Sequence, residues 1–108
     1  MTELFGVEMT PPAEDDLERL FEFLVVRSET LEELDHAQHV LHQLRTSIKK
    51  RLAENPWAYR KARDGRRTTR RELIVGLGSR GYVALYEILP GREVRVLAIR
   101  HQREEDYH

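Results

Sequence analysis

The sequence contains no cysteine and no hydrophobic run long enough to cross a membrane. Without cysteine the fold can have neither disulfides nor a thiolate metal site, and a reducing compartment is its natural setting. A membrane-spanning helix needs about 20 consecutive apolar residues. The first ten residues, MTELFGVEMT, also lack the basic start and the long apolar stretch of a signal peptide. We therefore expect a cytoplasmic protein that does not enter membranes.

Length and composition indicate one globular domain over residues 1–108, with a thin core. Hydrophobic residues make up 40% of the chain and charged residues 34%, which lies within the globular range. The net charge of −1 is unevenly distributed, because residues 1–54 contain 6 Lys/Arg and 12 Asp/Glu whereas residues 55–108 contain 12 and 7. Either the basic half attracts an acidic or phosphorylated partner, or the two halves neutralise each other within the fold.

Two amphipathic helices are predicted in the first half of the chain. Residues 11–27 follow the capping residue Thr10 and place their apolar residues on one stripe. A second helix begins at a capping box formed by Thr30 and Glu33 and ends at Asn55-Pro56. Because the link between the helices is short, we expect them to pack as an antiparallel hairpin.

The second half predicts strands. Residues 71–77, 81–89 and 93–99 are rich in Val, Ile, Leu and Tyr and are separated by glycine-containing turns, which is typical of an antiparallel meander. Residues 4–9 add an N-terminal strand, whereas residues 57–69 lose all periodicity and are predicted to form an exposed loop. The predicted fold class is α+β, with an N-terminal strand and a two-helix hairpin packed on a three-stranded antiparallel meander.

The histidines of the second helix are the first candidate for a metal site. His36, His39 and His42 are spaced three residues apart, and about 100° of rotation per residue turns the third imidazole about 120° away from the first. At most His36 and His39 could bind one metal ion, and a solvated helix face accounts for them as well. The glycines at 76, 78 and 81 lie at strand ends and do not form a phosphate-binding loop. We expect no metal and no cofactor.

The most basic stretch lies between the helices and the strands. Trp57 and Tyr59 are followed there by seven basic residues, Arg60, Lys61, Arg63, Arg66, Arg67, Arg70 and Arg71. Clustered cations with neighbouring aromatic rings suit a nucleic acid. They suit an acidic protein partner or a solvated loop equally well. We expect Arg66 and Arg67 to attract an anionic target electrostatically.

Residues 71–107, RELIVGLGSRGYVALYEILPGREVRVLAIRHQREEDY, resemble the C-terminal sheet of the RelE/ParE superfamily of bacterial toxins. The resemblance depends on Arg71-Glu72-Leu73, on Gly81-Tyr82 and on the last strand with Arg100-His101. Residues 11–24, PPAEDDLERLFEFL, resemble the first helix of that superfamily. These proteins are the toxins of type II toxin–antitoxin modules, so the resemblance implies a RelE/ParE-like fold and a hetero-oligomer with a cognate antitoxin.

The superfamily has two main activities, and the resemblance leaves both open. RelE-like members are endoribonucleases that cut messenger RNA on the ribosome, and for this activity the catalytic residues would be Arg71, His101, Arg103 and Tyr107. However, the positions at which such members carry basic residues on the sheet hold Ile74, Gly76 and Val83. ParE-like members lack that basic set and inhibit DNA gyrase. The sequence resembles this branch more closely, so we expect a protein inhibitor of gyrase without catalytic residues.

The resemblance and the apolar pattern predict two binding surfaces. The antitoxin is expected in an apolar groove beside the hairpin, at Leu20, Phe23, Leu24 and Val26. The target is expected at the basic residues of the tail and of the basic stretch, Arg100, His101, Arg103, Arg66 and Arg67. A further hypothesis is that toxicity has been lost and that the chain only binds its antitoxin.

The end of the last strand decides how the tail is presented. With the strand ending at Ile99, side-chain alternation places Arg100 on the face of Val96 and Ala98 and places His101 on the opposite face, with Leu97 and Ile99. Both side chains would then contact a partner. The alternative is that Arg100 pairs with Glu72 or another carboxylate of the sheet and closes the domain.

Overall fold

A computed structural model, which describes residues 3–62 and 67–103, shows a five-stranded sheet with two helices packed against one face. The first half contains β1 (Gly6–Met9), α1 (Pro11–Val26), α2 (Leu31–Glu54) and a 3₁₀ turn (Pro56–Ala58). The second half contains β2 (Arg60–Lys61), β3 (Arg70–Leu77), β4 (Arg80–Leu89) and β5 (Glu93–His101). The strands lie in the order β1-β5-β4-β3-β2.

The predicted α+β architecture is confirmed, with one correction to the sheet. The sheet is mixed, because β1 pairs in parallel with β5 while β2 to β5 are antiparallel. A parallel partner requires a crossover connection, and the helical hairpin between β1 and the other strands provides it. The prediction of a bare loop over residues 57–69 is wrong in part, since β2 adds a short strand to the edge of β3.

Both helices begin where the capping residues predict. The Thr10 hydroxyl accepts from the Ala13 N–H, and the Thr30 hydroxyl accepts from the Glu33 N–H at 3.1 Å. The Glu33 carboxylate closes the second cap on the N–H of Glu29, at 2.6 Å. Neither helix, nor any other helix within the described ranges, is long and apolar enough to span a membrane.

The core lies between the hairpin and the sheet. The apolar stripes of the helices and the facing side chains of the strands bury Leu17, Leu44, Ile48, Leu52, Leu73, Val75, Tyr82, Tyr86, Val96 and Ile99. The hydroxyl of Tyr86 donates to the carbonyl oxygen of Pro56 at 2.5 Å, and burial raises the pKa of this phenol. The 3₁₀ turn is thereby tied to the centre of the sheet.

A β-bulge in β5 changes which side chains share a face. Val96 lies opposite Tyr86 and Ala98 lies opposite Leu85, so Leu97 is an extra residue. The prediction that Arg100 shares a face with Val96 is therefore wrong. Arg100 shares its face with Ala98, and the bulge turns Val96 to the helix-facing side together with His101. Arg100 and His101 do lie on opposite faces, but both belong to β5, which continues two residues beyond the predicted end.

Candidate functional site

An open groove of about 690 Å³ lies between α1 and the far end of the sheet. Its described lining residues come from α1, from the turn between β3 and β4, and from the end of β5: Arg19, Leu20, Phe23, Leu24, Arg27, Ser79, Arg80, Tyr82, His101 and Arg103. Four of these are apolar or aromatic, four are arginines, and no carboxylate is among them. The groove therefore combines an apolar floor with a cationic rim.

The floor of the groove is the sheet-facing side of α1. Leu20 and Leu24 are 4% and 8% exposed and contact the core, whereas Phe23, one residue off their stripe, is 47% exposed. The guanidinium of Arg27 stacks on Phe23, with its central carbon 3.8 Å from the ring centroid. An aromatic ring of this exposure is an anchor that a partner can bury.

Two polar side chains of α1 fix the helix against β5. The Asp16 carboxylate is buried and accepts from the Ile99 N–H at 2.8 Å. Arg19 donates to the Ile99 carbonyl oxygen at 3.4 Å. The pairing of β1 with β5 ends at Val96, where the N–H and hydroxyl of Thr10 both donate to the carbonyl oxygen. Beyond that point the hydrogen bonds from Asp16 and Arg19 to Ile99 place α1 beside β5.

The opposite wall is built by the end of β5. The imidazole of His101 packs edge-on against Tyr82, with ring centroids 5.4 Å apart. Its Nδ1 accepts from the Arg103 N–H at 3.1 Å, so Nδ1 carries no proton in this arrangement. Gln102 donates its N–H to the Gly81 carbonyl oxygen, and a side chain at Gly81 would collide with Gln102. The contact is with the end of the flexible Gln102 side chain, so the backbone hydrogen bond of Gln102, and not the missing side chain at Gly81, holds the end of β5 beside β4.

The groove brings together residues that the sequence predicted for two different partners. Leu20, Phe23 and Leu24, expected to bind an antitoxin, form the floor, and His101 and Arg103, expected to bind a target, form one wall. Sequence reasoning missed three arginines that line the groove, namely Arg19, Arg27 and Arg80. Arg19 and Arg27 lie four residues before and four residues after Phe23, so helical spacing places them on the same side of α1 as that ring. This spacing is the sequence signal that could have predicted them.

The remaining predicted residues lie elsewhere. Val26 is 81% exposed and is not among the lining residues. Arg100 is 5% exposed, lies opposite Val83, and donates to the carbonyl oxygens of His101 and Gln102, both at 3.3 Å. The expectation that Arg100 is presented on a surface therefore does not hold for its side chain, and its part in target binding stays a prediction. Arg66 lies outside the described residues.

The described arginines of the basic stretch bind groups of their own domain. Arg60 binds Glu72 at 3.0 Å, and Arg67 and Arg70 bind one oxygen of Glu87 at 3.2 and 3.4 Å. Both carboxylates are buried, at 3% and 8% exposure. Arg71 also turns inward and donates to three carbonyl oxygens, those of Trp57, Tyr59 and Thr68. A glutamate within an apolar strand is the sequence signal that could have predicted these pairs.

The residues expected of a ribonuclease are not all placed together. Arg71 lies opposite Tyr86, and His101 lies opposite Tyr82, on the other side of β4. Four residues of strand separate these positions by about 13 Å, at roughly 3.4 Å per residue. Arg103 is close to His101, whereas Tyr107 lies outside the described residues. Val83, at a position where RelE-like members carry a basic residue, is fully buried.

The histidines of α2 are exposed, His36 and His39 among them. Within residues 3–62 and 67–103 no group of three or more His, Asp or Glu side chains is arranged to hold a metal ion. The groove is thus the described site at which five of the predicted binding residues lie together.

Comparison with known proteins identifies the family. The family model described as the ParE toxin of the type II toxin–antitoxin system parDE matches residues 7–106. No curated protein matches the sequence. The chain is similar to a solved structure of the chromosomal ParDE toxin–antitoxin system from P. aeruginosa, with a TM-score of 0.66 and 17% identity, over 93% of this chain and 98% of that chain. That likeness supports the fold, and the family model spans nearly the whole sequence: the chain belongs to the ParE toxins of type II toxin–antitoxin systems.

Proposed function

We propose that this chain inhibits DNA gyrase, that it thereby arrests growth in the cytoplasm, and that a cognate antitoxin holds it inactive by binding in the groove between α1 and β5. Family membership supports the toxin role and the existence of an antitoxin. The observation that carries the site is the groove itself, because one continuous surface contains Leu20, Phe23 and Leu24 together with His101 and Arg103.

The shape of the groove suits a segment of a protein partner. An α-helix is about 10 Å wide and rises about 1.5 Å per residue. A volume of about 690 Å³ therefore accommodates about six residues of helix, or one face of a longer helix. An amphipathic helix that places apolar side chains in such a groove is a common mode of peptide recognition.

The arrangement of the sheet favours gyrase inhibition over RNA cleavage as the proposed activity. General acid–base cleavage at a 2′-hydroxyl needs its proton acceptor and its phosphate-binding cations around one scissile bond. Arg71 is held by backbone carbonyl groups two strands away from His101. The ribosome-dependent ribonuclease remains the competing activity for the experiment.

The test compares both targets with one preparation of the purified chain. We expect it to inhibit supercoiling by bacterial DNA gyrase and to increase the amount of cleaved plasmid DNA. In a translation extract we expect messenger RNA to stay intact. If messenger RNA were cleaved while gyrase activity was unaffected, the target would be the ribosome and not gyrase. Neither effect, with antitoxin binding retained, would identify a chain that has lost toxicity.

A matched pair of variants tests whether the β5 wall contacts the target. Arg103 lines the groove, whereas Arg95 is also exposed but lies near the start of β5 and pairs with Glu8 at 3.4 Å. We expect Arg103→Ala to weaken gyrase inhibition about tenfold, since a central arginine of an interface commonly contributes this much. Arg95→Ala should inhibit like the wild type. Equal inhibition by both variants would place the target contact outside the groove.

A further inference from the structure

We infer that the groove selects a partner helix that carries carboxylates on both sides of its apolar stripe, and that Arg27 makes this selection. The inference rests on the proposed neutralisation at the groove, and it specifies the chemistry of the segment that binds there. It follows from the charges around the groove, from the placement of the cations on two walls, and from the contact between Arg27 and Phe23.

The groove differs in its charges from the rest of the described surface. Six arginines outside it bind carboxylates of their own domain, in the pairs Arg45–Glu14, Arg60–Glu72, Arg67–Glu87, Arg70–Glu87, Arg92–Glu3 and Arg95–Glu8. Among the described residues that line the groove there are four arginines and no carboxylate. Arg19 pairs with Asp16 of its own helix at 3.8 Å, whereas Arg27, Arg80 and Arg103 form no ion pair within the described residues. A neutral helix would cover these three cations without giving them a partner, which costs free energy. A helix with carboxylates avoids that cost.

The cations come from two different walls of the groove, α1 and the sheet. Arg27 directly follows α1, while Arg80 begins β4 and Arg103 follows the end of β5. Leu20, Leu24 and Phe23 contribute the floor from α1. A helix whose apolar residues recur every three to four positions presents the neighbouring positions to either side. Acidic residues at these neighbouring positions would therefore face Arg27 on one side and Arg80 on the other.

Arg27 controls access to the most exposed part of the floor. Its guanidinium stacks 3.8 Å above the ring of Phe23, a contact of modest strength at an exposed position. An incoming helix that buries this face of the ring must displace the guanidinium. A carboxylate on the helix compensates with a charge-assisted hydrogen bond, which is stronger than the stacking contact. A helix without a carboxylate offers no compensation, so Arg27 discriminates against it.

The test uses three synthetic amphipathic peptides with the same leucine stripe. The flanking positions carry Glu in the first peptide, Gln in the second and Lys in the third. Titration calorimetry with the intact chain should show that the Glu peptide binds about tenfold more tightly than the Gln peptide, and that the Lys peptide binds more weakly still. Added salt should weaken the Glu peptide most. Equal affinity of the Glu and Gln peptides would overturn the inference.

Charge reversal in the protein identifies the selecting residue. Arg27→Glu should weaken the Glu peptide about tenfold and strengthen the Lys peptide. Arg80→Glu should weaken the Glu peptide as well, which covers the case in which a change at the end of α1 disturbs the helix. Lys50→Glu makes the same charge change on the exposed surface of α2 and should leave every affinity unchanged. If Lys50→Glu lowered the affinity for the Glu peptide as much as Arg27→Glu, the effect would come from net charge alone. The proposed selection by Arg27 would then be rejected.

The peptide measurement depends on neither gyrase nor the cognate antitoxin. If Phe23→Ala weakens binding of the Glu peptide but not of the antitoxin, the selection by charge is supported and the proposal that the antitoxin binds in the groove is rejected. If Phe23→Ala weakens the antitoxin while the Glu and Gln peptides bind equally, neutralisation stands and the selection by charge fails.

Discussion

Arginines serve opposite purposes at the two ends of the sheet. Beside β2 and β3, Arg60, Arg67 and Arg70 bind buried glutamates of their own domain. At the other end, Arg27 and Arg80 line an open groove in which the described lining contains no carboxylate. The first group stabilises the fold, and the second group is available to a partner.

The difference shows why the density of basic residues does not locate a binding surface. Three arginines of the richest basic stretch, Arg60, Arg67 and Arg70, are paired within the domain, because the strands beside it bury Glu72 and Glu87 at 3% and 8% exposure. The cations of the groove come from separate segments of the chain, so none of those segments looks unusually basic. Whether an arginine binds a partner depends on the carboxylates near it in space.

The largest effect is expected for the arginines that bind buried glutamates. In the double variant Arg67→Ala/Arg70→Ala, Glu87 would remain buried without a cation. We expect the free energy of unfolding to fall by about 2–3 kcal/mol, somewhat less than for a fully buried pair, since Arg67 is itself 64% exposed. Urea denaturation measures the change. The matched double variant Arg27→Ala/Arg80→Ala should lose less than about 0.5 kcal/mol, and equal losses would contradict the comparison.

A smaller effect is expected at the floor of the groove, on affinity. Phe23→Ala removes an aromatic anchor and should weaken binding of the cognate antitoxin by about 2 kcal/mol, with little change in stability because the ring is 47% exposed. Val26, on the same helix and 81% exposed, is the matched control. Titration calorimetry measures the affinity of each variant for the antitoxin. A larger loss with Val26→Ala would move the antitoxin to the outer side of the hairpin.

The smallest effect concerns the ion pair between Arg45 and Glu14, which is neither buried nor in the groove. The hydrogen bond from Arg45 lowers the pKa of Glu14, and the two side chains are 39% and 43% exposed. Because the pKa is lower in the folded state, the pair stabilises the fold above the ordinary glutamate pKa of 4.5, and this contribution is lost as the pH falls through the folded pKa.

Glu14→Gln should therefore cost less than about 1 kcal/mol at neutral pH. The difference from the wild type should vanish below the folded pKa of Glu14, where its carboxyl group is protonated in both the folded and the unfolded state. Urea denaturation across the pH range measures it. A difference that persists in acid would show that the pair acts through packing and not through charge.

Local patterns predicted most of the secondary structure. Thr10 and Thr30 mark the starts of the two helices, and glycine-containing turns separate the three long strands, because capping and turn formation depend on neighbours in the sequence. The parallel pairing of β1 with β5 was not predicted, since residues 6–9 carry no local sign of their partner strand. The bulge at Leu97 was also missed, and it invalidated the alternation used to place Val96 and Arg100.

The sequence by itself determined the α+β class, the hairpin, the three long strands and the resemblance to the toxin superfamily. It also selected half of the described residues that line the groove, because helical spacing reveals Leu20 and Leu24, and Phe23 stands out as an apolar residue off that stripe. The tertiary structure alone decided which charges remain available. Arg100 is buried and Arg67 is paired, while Arg27 and Arg80 line the same groove from positions 53 residues apart in sequence. Burial and charge pairing depend on distances between segments, and a linear pattern does not contain those distances.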